Sequence, residues 1–231
     1  MKNFFYQANL PHWQPPEGTF FITYRLYGSV PKPVIEEIKA SYMAALEKTE
    51  KEHAEDFLKV ADNMTPEMKT KLADILEQKR YLEHKRYFKK FDDFLDSRQL
   101  NEPHWLKQPD IARFELENIK HYAERYFELY ACCIMSNHVH LLIKMKPGAP
   151  ILWKVLQDMK KYSGRQINKK LGRKGKFWED ESYDHLVRPG EFDRIYWYIL
   201  NNPVKAKLVK EWQEYPFLYC YADVPPNPSS A

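Results

Sequence analysis

Two histidines separated by one residue have the type and spacing that suit metal chemistry. His138 and His140 lie within an apolar run over residues 133–145. Alternate side chains of an extended strand point to the same face, so the two imidazoles project together, about 7 Å apart along the chain. A neutral imidazole offers a ring nitrogen to a divalent cation. The pair is a candidate metal site, but a partly exposed strand with two unrelated polar residues has the same spacing, and a third ligand must come from elsewhere.

The residues between and beyond the histidines predict the element that positions them. They form an apolar row for a buried core: Val139, Leu141, Ile143 and Met145. A second aromatic and aliphatic run covers residues 127–135. Ser136-Asn137 between the runs fits a two-residue hairpin turn, because Asn tolerates the positive φ of such turns. The sequence therefore predicts a β-hairpin with His138 at the start of its second strand.

The charge distribution favours a polyanionic partner. The formal net charge is +4, but residues 129–231 carry sixteen Lys and Arg against ten acids. Residues 144–176 hold eleven basic residues and one acid, Asp158. A solvated helix face explains part of this bias. Its position directly after a candidate metal site is better explained by a phosphodiester backbone.

The rest of the chain predicts an α+β fold with an antiparallel sheet and packed helices. We expect one domain over residues 1–231, with residues 35–98 as an inserted helical hairpin, because that segment is charged on most sides and thinly apolar. The other predicted elements are a strand over 19–27, a helix from Pro109, a helix over 151–171, a strand over 182–187, and a helix from Phe192 that stops at Asn201-Asn202-Pro203.

Cysteine content and hydropathy indicate a reducing compartment. Cys132, Cys133 and Cys220 form neither a zinc quartet nor a disulfide framework, and alternation puts the adjacent pair on opposite sheet faces as buried thiols. The N-terminal segment lacks a signal-peptide pattern, and no run approaches the ~20 apolar residues of a membrane span. We expect a cytoplasmic protein without membrane association.

Several motifs in order resemble one family. Residues 133–142 look like the His-hydrophobic-His motif of single-tyrosine transposases of the HUH superfamily. Residues 177–179, 181–188 and 198–206 resemble signatures of the REP-associated tyrosine transposases. The resemblance covers residues 19–34 and about 88–219. Ser136 stands where most relatives have Pro, and both are turn residues.

The resemblance implies a ferredoxin-like core and cleavage and rejoining of single-stranded DNA through a 5′-phosphotyrosine, at hairpin-forming repeats. It implies that His138 and His140 are metal ligands, that Tyr162 is the nucleophile, and that Gln166, one helical turn later, is the third ligand. It also implies Mg²⁺ as the metal. Nitrogen ligands lead us to expect tighter binding of Mn²⁺. The partner is single-stranded DNA with hairpins, bound by a monomer or homodimer.

The expected DNA contacts lie on the helix end and the loop after Tyr162. They are Lys169, Lys170, Arg173, Lys174 and Lys176, with Trp178 as an aromatic on which a base stacks.

Two alternatives remain at this point. One is a non-catalytic nucleic-acid-binding protein on the same scaffold. The other is a metal-dependent hydrolase that activates water, with Tyr162 as a packing residue. Trapping a covalent adduct between protein and DNA distinguishes both from a transposase.

Overall fold

The computed structural model describes residues 5–7, 11–60, 64–97 and 103–221. The chain divides into two compact units, one made of residues 1–29 with 100–231 and the other of residues 30–99. The first unit contains a five-stranded antiparallel sheet with packed helices, so the predicted α+β class is confirmed. Within the described ranges, no helix combines the length and the apolar composition that crossing a bilayer requires.

The first unit has the ferredoxin-like order of elements. Its strands and helices are β1 (Phe5–Gln7), β2 (Pro11–Trp13), β3 (Thr19–Arg25), α3 (Pro109–Tyr126), β4 (Phe127–Ile134), β5 (His138–Met145), α4 (Leu152–Lys170), β6 (Tyr183–Leu186), α5 (Phe192–Lys205) and β7 (Leu218–Cys220). Strands β1 and β2 pair with each other, and the main sheet has the order β6-β3-β5-β4-β7. The βαββαβ succession from β3 to β6 gives the expected ferredoxin-like arrangement.

The two faces of the sheet have different coverings. Residues opposite each other in a pair of strands point to the same face. Tyr24 and Val139 are such a pair, and both belong to the hydrophobic core that α3 and α4 close. Thr23 and His140 are the next pair and point to the other face, where α5 contacts β4 and β5. The apolar row of β5 therefore packs against α3 and α4, and its histidines face α5.

The β4–β5 hairpin forms as predicted, with a difference in its turn. The Met135 amide donates to the His138 carbonyl at 2.9 Å, which closes a two-residue turn. The positive φ expected at Asn137 is absent, because Glu17 and Lys207 are the non-glycine residues with positive φ in the described chain. The side chain of Asn137 is instead used for a contact with His138.

Helix α5 runs further than the sequence predicts. The expected stop at Asn201-Asn202-Pro203 is wrong, because the helix continues to Lys205 with Pro203 inside it. A proline in a helix removes one backbone hydrogen bond and disfavours the helix locally. Its buried apolar side, which includes Ile199, Leu200 and Pro203, offsets that cost by packing in the interior. The extension places Asn202 one helical turn after Tyr198.

Helix α4 is fastened to the segment that precedes β6. A Cβ at Gly164 would lie 3.3 Å from both Phe177 Cβ and Trp178 Cδ1, so this glycine reflects a close approach. Lys160 donates to the carbonyl oxygens of Glu179 at 2.9 Å and Asp180 at 2.8 Å. Burial lowers the pKa of the Lys160 ammonium to about 8.

Residues 30–99 form an antiparallel pair of long helices, α1 (Lys32–Val60) and α2 (Pro66–Asp96). Thr65 accepts a hydrogen bond from the Met68 amide at 3.3 Å, so the predicted N-cap is confirmed. An Arg80–Glu50 ion pair of 2.8 Å links the helices midway along their length. Another link is the hydrogen bond from Lys90 to Ser41 at 2.6 Å.

A buried carboxyl lies between the sheet and helices α3 and α4. The Tyr24 hydroxyl donates to Glu115 at 2.6 Å, and Glu115 is fully buried. Loss of solvent raises the pKa of Glu115 from 4.5 to about 7, although the hydrogen bond from Tyr24 favours the carboxylate. The folded protein therefore holds a proton on this carboxyl that the unfolded chain releases.

This proton makes stability depend on pH. Because the pKa is raised on folding, the free energy of unfolding falls by about 3 kcal/mol as the pH rises from about 4.5 to about 7. Above that range this contribution is constant. Glu115→Gln is expected to remove that fall, so the variant is more stable than the wild type at pH 8. Urea unfolding from pH 5 to 8 measures this difference. A fall that persists in Glu115→Gln but disappears in the exposed Glu117→Gln control would contradict the assignment.

Candidate metal centre

The two histidines converge on one another through their Nε2 atoms. These atoms are 3.0 Å apart, and both side chains are fully buried. The Nδ1 atom of His138 lies 2.7 Å from Asn137 Oδ1, and that of His140 lies 2.7 Å from Thr23 Oγ1. An amide oxygen only accepts, so the proton of His138 is on Nδ1. With the same tautomer in His140, both Nε2 lone pairs face a common point.

The separation of the two nitrogens fits a divalent cation. Two ligands about 2.1 Å from an ion and at right angles to each other are about 3.0 Å apart, which is the spacing of neighbouring octahedral positions. The observed Nε2–Nε2 distance is 3.0 Å. Without a cation the same distance suits a hydrogen bond between the two rings, since the Thr23 hydroxyl can either accept from or donate to His140 Nδ1. Hydrogen bonds that fix the other ring nitrogen are also typical of histidines that bind metal.

Asn202 supplies a third donor at the same point. Its side chain is 1% exposed, and its Nδ2 lies 3.2 Å from His140 Nε2. Its Oδ1 is buried and has no hydrogen-bond partner in the described part of the chain. The nitrogen and oxygen ends of an amide are nearly the same size, so a half-turn of this group directs Oδ1 toward the histidines. The residues present therefore fit a cation held by two imidazoles and one amide oxygen.

Tyr198 lies beside this centre on the same helix. Its ring meets the ring of His140 edge-on, with centroids 5.6 Å apart at 71°. It also contacts Phe21 edge-on, at 5.8 Å. The ammonium of Lys205 lies 5.9 Å from the centroid of the Tyr198 ring. Residues four apart share a helix side, so Tyr198 and Asn202 approach the histidines together.

The structure does not bring Tyr162 and Gln166 to the histidines. Tyr162 is 49% exposed on α4 and stacks on Phe114 of α3, with centroids 6.3 Å apart. Gln166 lines a cavity beside the same phenylalanine. Helix α4 packs on the sheet face of Val139, so the sheet separates both side chains from His138 and His140 within one chain.

The predicted DNA contacts divide into paired and unpaired cations. Lys170 forms an ion pair with Asp110 at 2.6 Å, and Lys176 contacts Asp180. Arg173 donates to Asn168 at 3.2 Å and lies over the Trp105 ring. Lys169 and Lys174 are exposed, and no hydrogen bond or ion pair of their side chains occurs in the described residues.

Trp178 is largely buried. It is 5% exposed, its Nε1 donates to Ser163 at 3.0 Å, and its ring packs edge-on against Tyr24 at 4.8 Å. Little of the indole is therefore accessible, and the stacking of a base on it stays a prediction.

One known family matches part of the chain. Residues 101–202, somewhat less than half of the chain, match the model of the family described as "Transposase IS200 like". The matched segment is similar to these transposases and contains the histidine pair and α5 as far as Asn202. Over this segment the match supports the resemblance that the motifs indicate.

The whole chain was also compared with curated sequences and solved structures. No curated protein matches the chain. A solved structure described as the REP associates tyrosine transposase bound to a REP hairpin is 16% identical, with a TM-score of 0.49. The similarity covers 92% of this chain and 82% of that one.

One signal in the sequence pointed to the missed residues. Tyr198 and Asn202 have the same four-residue spacing as Tyr162 and Gln166. The interpretation of Asn201-Asn202-Pro203 as a helix stop put Asn202 outside the helix and hid the pair. The periodicity of α4 predicts that one side of the helix is apolar, but it does not predict which face of the sheet that side covers.

Metal titration distinguishes the two possible third ligands. Alanine at Asn202 is expected to weaken Mn²⁺ binding by about tenfold or more, since it removes an oxygen donor. Alanine at His140 should remove measurable binding, and Gln166→Ala should bind like the wild type. Isothermal titration of each folded variant measures the affinities. Weaker binding by Gln166→Ala together with unchanged binding by Asn202→Ala would contradict the proposed ligand set.

Proposed function

We propose that the protein cleaves and rejoins single-stranded DNA with Tyr198 as the nucleophile. The observation that carries the proposal is the position of Tyr198 and Asn202 on one side of α5, directly against the buried histidine pair. The proposed metal ligands are His138, His140 and Asn202. Tyr162 and Gln166, which the resemblance implies for these roles, lie on the opposite side of the sheet.

The chemistry requires activation of a weak nucleophile. A phenol has a pKa near 10, so little phenolate is present at neutral pH. The Lys205 ammonium lies 5.9 Å from the centroid of the Tyr198 ring, so a positive charge is close to the proposed nucleophile. A bound Mg²⁺ or Mn²⁺ would polarise the scissile phosphate and stabilise the leaving oxygen.

The proposed transfer conserves the phosphodiester energy. The Tyr198 oxygen loses its proton and forms a bond to phosphorus, and the bond from phosphorus to the 3′-oxygen breaks. The 3′-oxygen takes up a proton and leaves as a hydroxyl, while the 5′-phosphate stays on the tyrosine. Attack by a 3′-hydroxyl reverses these steps and restores the tyrosine. No ATP is consumed, because the number of phosphate ester bonds does not change.

Residues of this chain have distinct tasks in that reaction. Asn137 and Thr23 fix the ring orientation of the histidines, so that the Nε2 atoms stay aimed at one point. The packing of Phe21 against Tyr198 restricts the phenol ring to the side of that point. Orientation of this kind lowers the entropy cost of reaching the transition state.

The proposed substrate is a single strand that carries a hairpin. This part of the proposal rests on the resemblance of residues 177–188 and 198–206 to signatures of REP-associated tyrosine transposases. A protein that only binds nucleic acid has no need of three buried donors beside a tyrosine, so this geometry supports an enzyme over the binding-protein alternative.

The two tyrosines provide a matched test. Incubation with a hairpin-bearing single strand and Mn²⁺ is expected to give an adduct that survives denaturation, and its peptide map should place the nucleotide on Tyr198. Tyr198→Phe removes one hydroxyl and should abolish the adduct without reducing DNA affinity. Tyr162→Phe should form the adduct at the wild-type rate.

The outcomes of this test separate the hypotheses. An adduct lost in Tyr162→Phe but kept in Tyr198→Phe would show that the nucleophile comes from α4, which then requires a second copy of the chain. Specific product strands without an adduct would support the metal-dependent hydrolase. Binding without cleavage in every wild-type reaction would support the non-catalytic protein.

A further inference from the structure

Helix α4 carries a ladder of exposed side chains that packing does not explain. They are spaced four residues apart and therefore form one stripe along the helix: Trp153, Gln157, Lys161, Arg165 and Lys169. All five are exposed, and Trp153 has 41% of its surface accessible. The stripe combines a flat aromatic surface with three cations on the side of α4 that faces away from the core.

The three cations of the stripe have no counter-charge. Across the described chain, no ion pair or hydrogen bond involves the side chains of Lys161, Arg165 or Lys169. Neighbouring cations of the same segment differ, because Lys154 pairs with Asp158 at 2.9 Å and Lys170 with Asp110. Like charges four apart destabilise a helix slightly. The repulsion among these three cations therefore destabilises the free protein slightly, and a bound polyanion would neutralise it.

A groove of about 800 Å³ runs beside the stripe. One wall contains Trp153, Gln157, Lys161 and Arg165, and the other is the segment 175–182. The second wall holds three acids, Glu179, Asp180 and Glu181. Glu179 pairs with Arg25, and Asp180 contacts Lys176. Lys161 and Arg165 are the cations of the groove for which the described residues provide no ion pair or side-chain hydrogen bond.

The groove is connected to the candidate metal centre through the sheet. The Glu179 amide donates to the carbonyl of Arg25 at 2.9 Å. Arg25 is the residue of β3 that lies opposite His138 in β5. The wall of the groove is therefore fixed to the end of the sheet at which the histidine pair begins.

We propose that this groove binds the unpaired segment of a DNA strand. Trp153 stacks on a base, and Lys161 and Arg165 contact phosphates within the groove. Lys169, one helical turn beyond the residues that line the groove, contacts the next phosphate. Stacking needs an unpaired base, whose face is free. Steps of four residues advance about 6 Å along a helix, which places three cations along an extended backbone. The inference rests on the proposed function for its class of ligand, but it concerns binding and not cleavage.

Binding without metal tests the groove separately from the chemistry. Fluorescence anisotropy with a labelled single-stranded oligonucleotide in EDTA excludes turnover. A triple variant with Lys161→Gln, Arg165→Gln and Lys169→Gln should bind the oligonucleotide more weakly. The slope of log affinity against log salt should fall by about 2, since each phosphate contact on a single strand contributes about 0.7. Trp153→Ala should weaken binding about tenfold, and Trp153→Phe should bind like the wild type because it keeps a stacking ring.

The matched control changes the same charge elsewhere. Gln at Lys51, Lys69 and Lys71 removes three exposed cations from α1 and α2. This variant should retain the wild-type salt slope, and thermal melting shows whether each variant is folded. An unchanged slope in the α4 variant, an equal loss in the control, or equal weakening on a fully paired duplex would each overturn the proposal. No cleavage occurs in EDTA, so this binding result does not depend on whether the proposed covalent adduct forms.

Discussion

The approach of two imidazole nitrogens to 3.0 Å inside the protein is the interaction on which the site depends. Two rings can converge in this way only when neighbours fix the orientation of both. Asn137 and Thr23 do this through the outer ring nitrogens, and the pairing of β3 with β5 brings Thr23 opposite His140. The register of one pair of strands therefore fixes the geometry of the candidate metal centre.

Because side chains alternate across the sheet, one face forms the hydrophobic core and the other carries the candidate site. One face holds Tyr24, Val139 and the other apolar residues that α3 and α4 cover, and its packing stabilises the unit. The opposite face carries the histidines and receives α5 with Tyr198 and Asn202. Buried polar side chains would be costly in the apolar face. On the opposite face Asn137 and Thr23 form hydrogen bonds with the two histidine rings.

Local periodicity predicted the elements that carry the histidines but not the helix that completes their site. The hairpin followed from the two-residue period of β5, and α4 from three- and four-residue steps, since both patterns are local. The face on which a helix packs is set by contacts distant in sequence, so Tyr162 was assigned to a centre that the sheet hides from it. Asn202 was missed because a local rule for proline was overridden by the burial of Ile199 and Leu200. The burial of Trp178 depends on Ser163 and Tyr24, which also lie far from it in sequence.

The central claim is that α5, not α4, completes the centre begun by His138 and His140. A crystal soaked in Mn²⁺ tests it most directly, because anomalous scattering locates the ion without reference to activity. The account predicts one strong peak within about 2.3 Å of both Nε2 atoms and of the Asn202 amide oxygen. A peak coordinated by Gln166, or one at the histidines with the Asn202 side chain turned away, would contradict it.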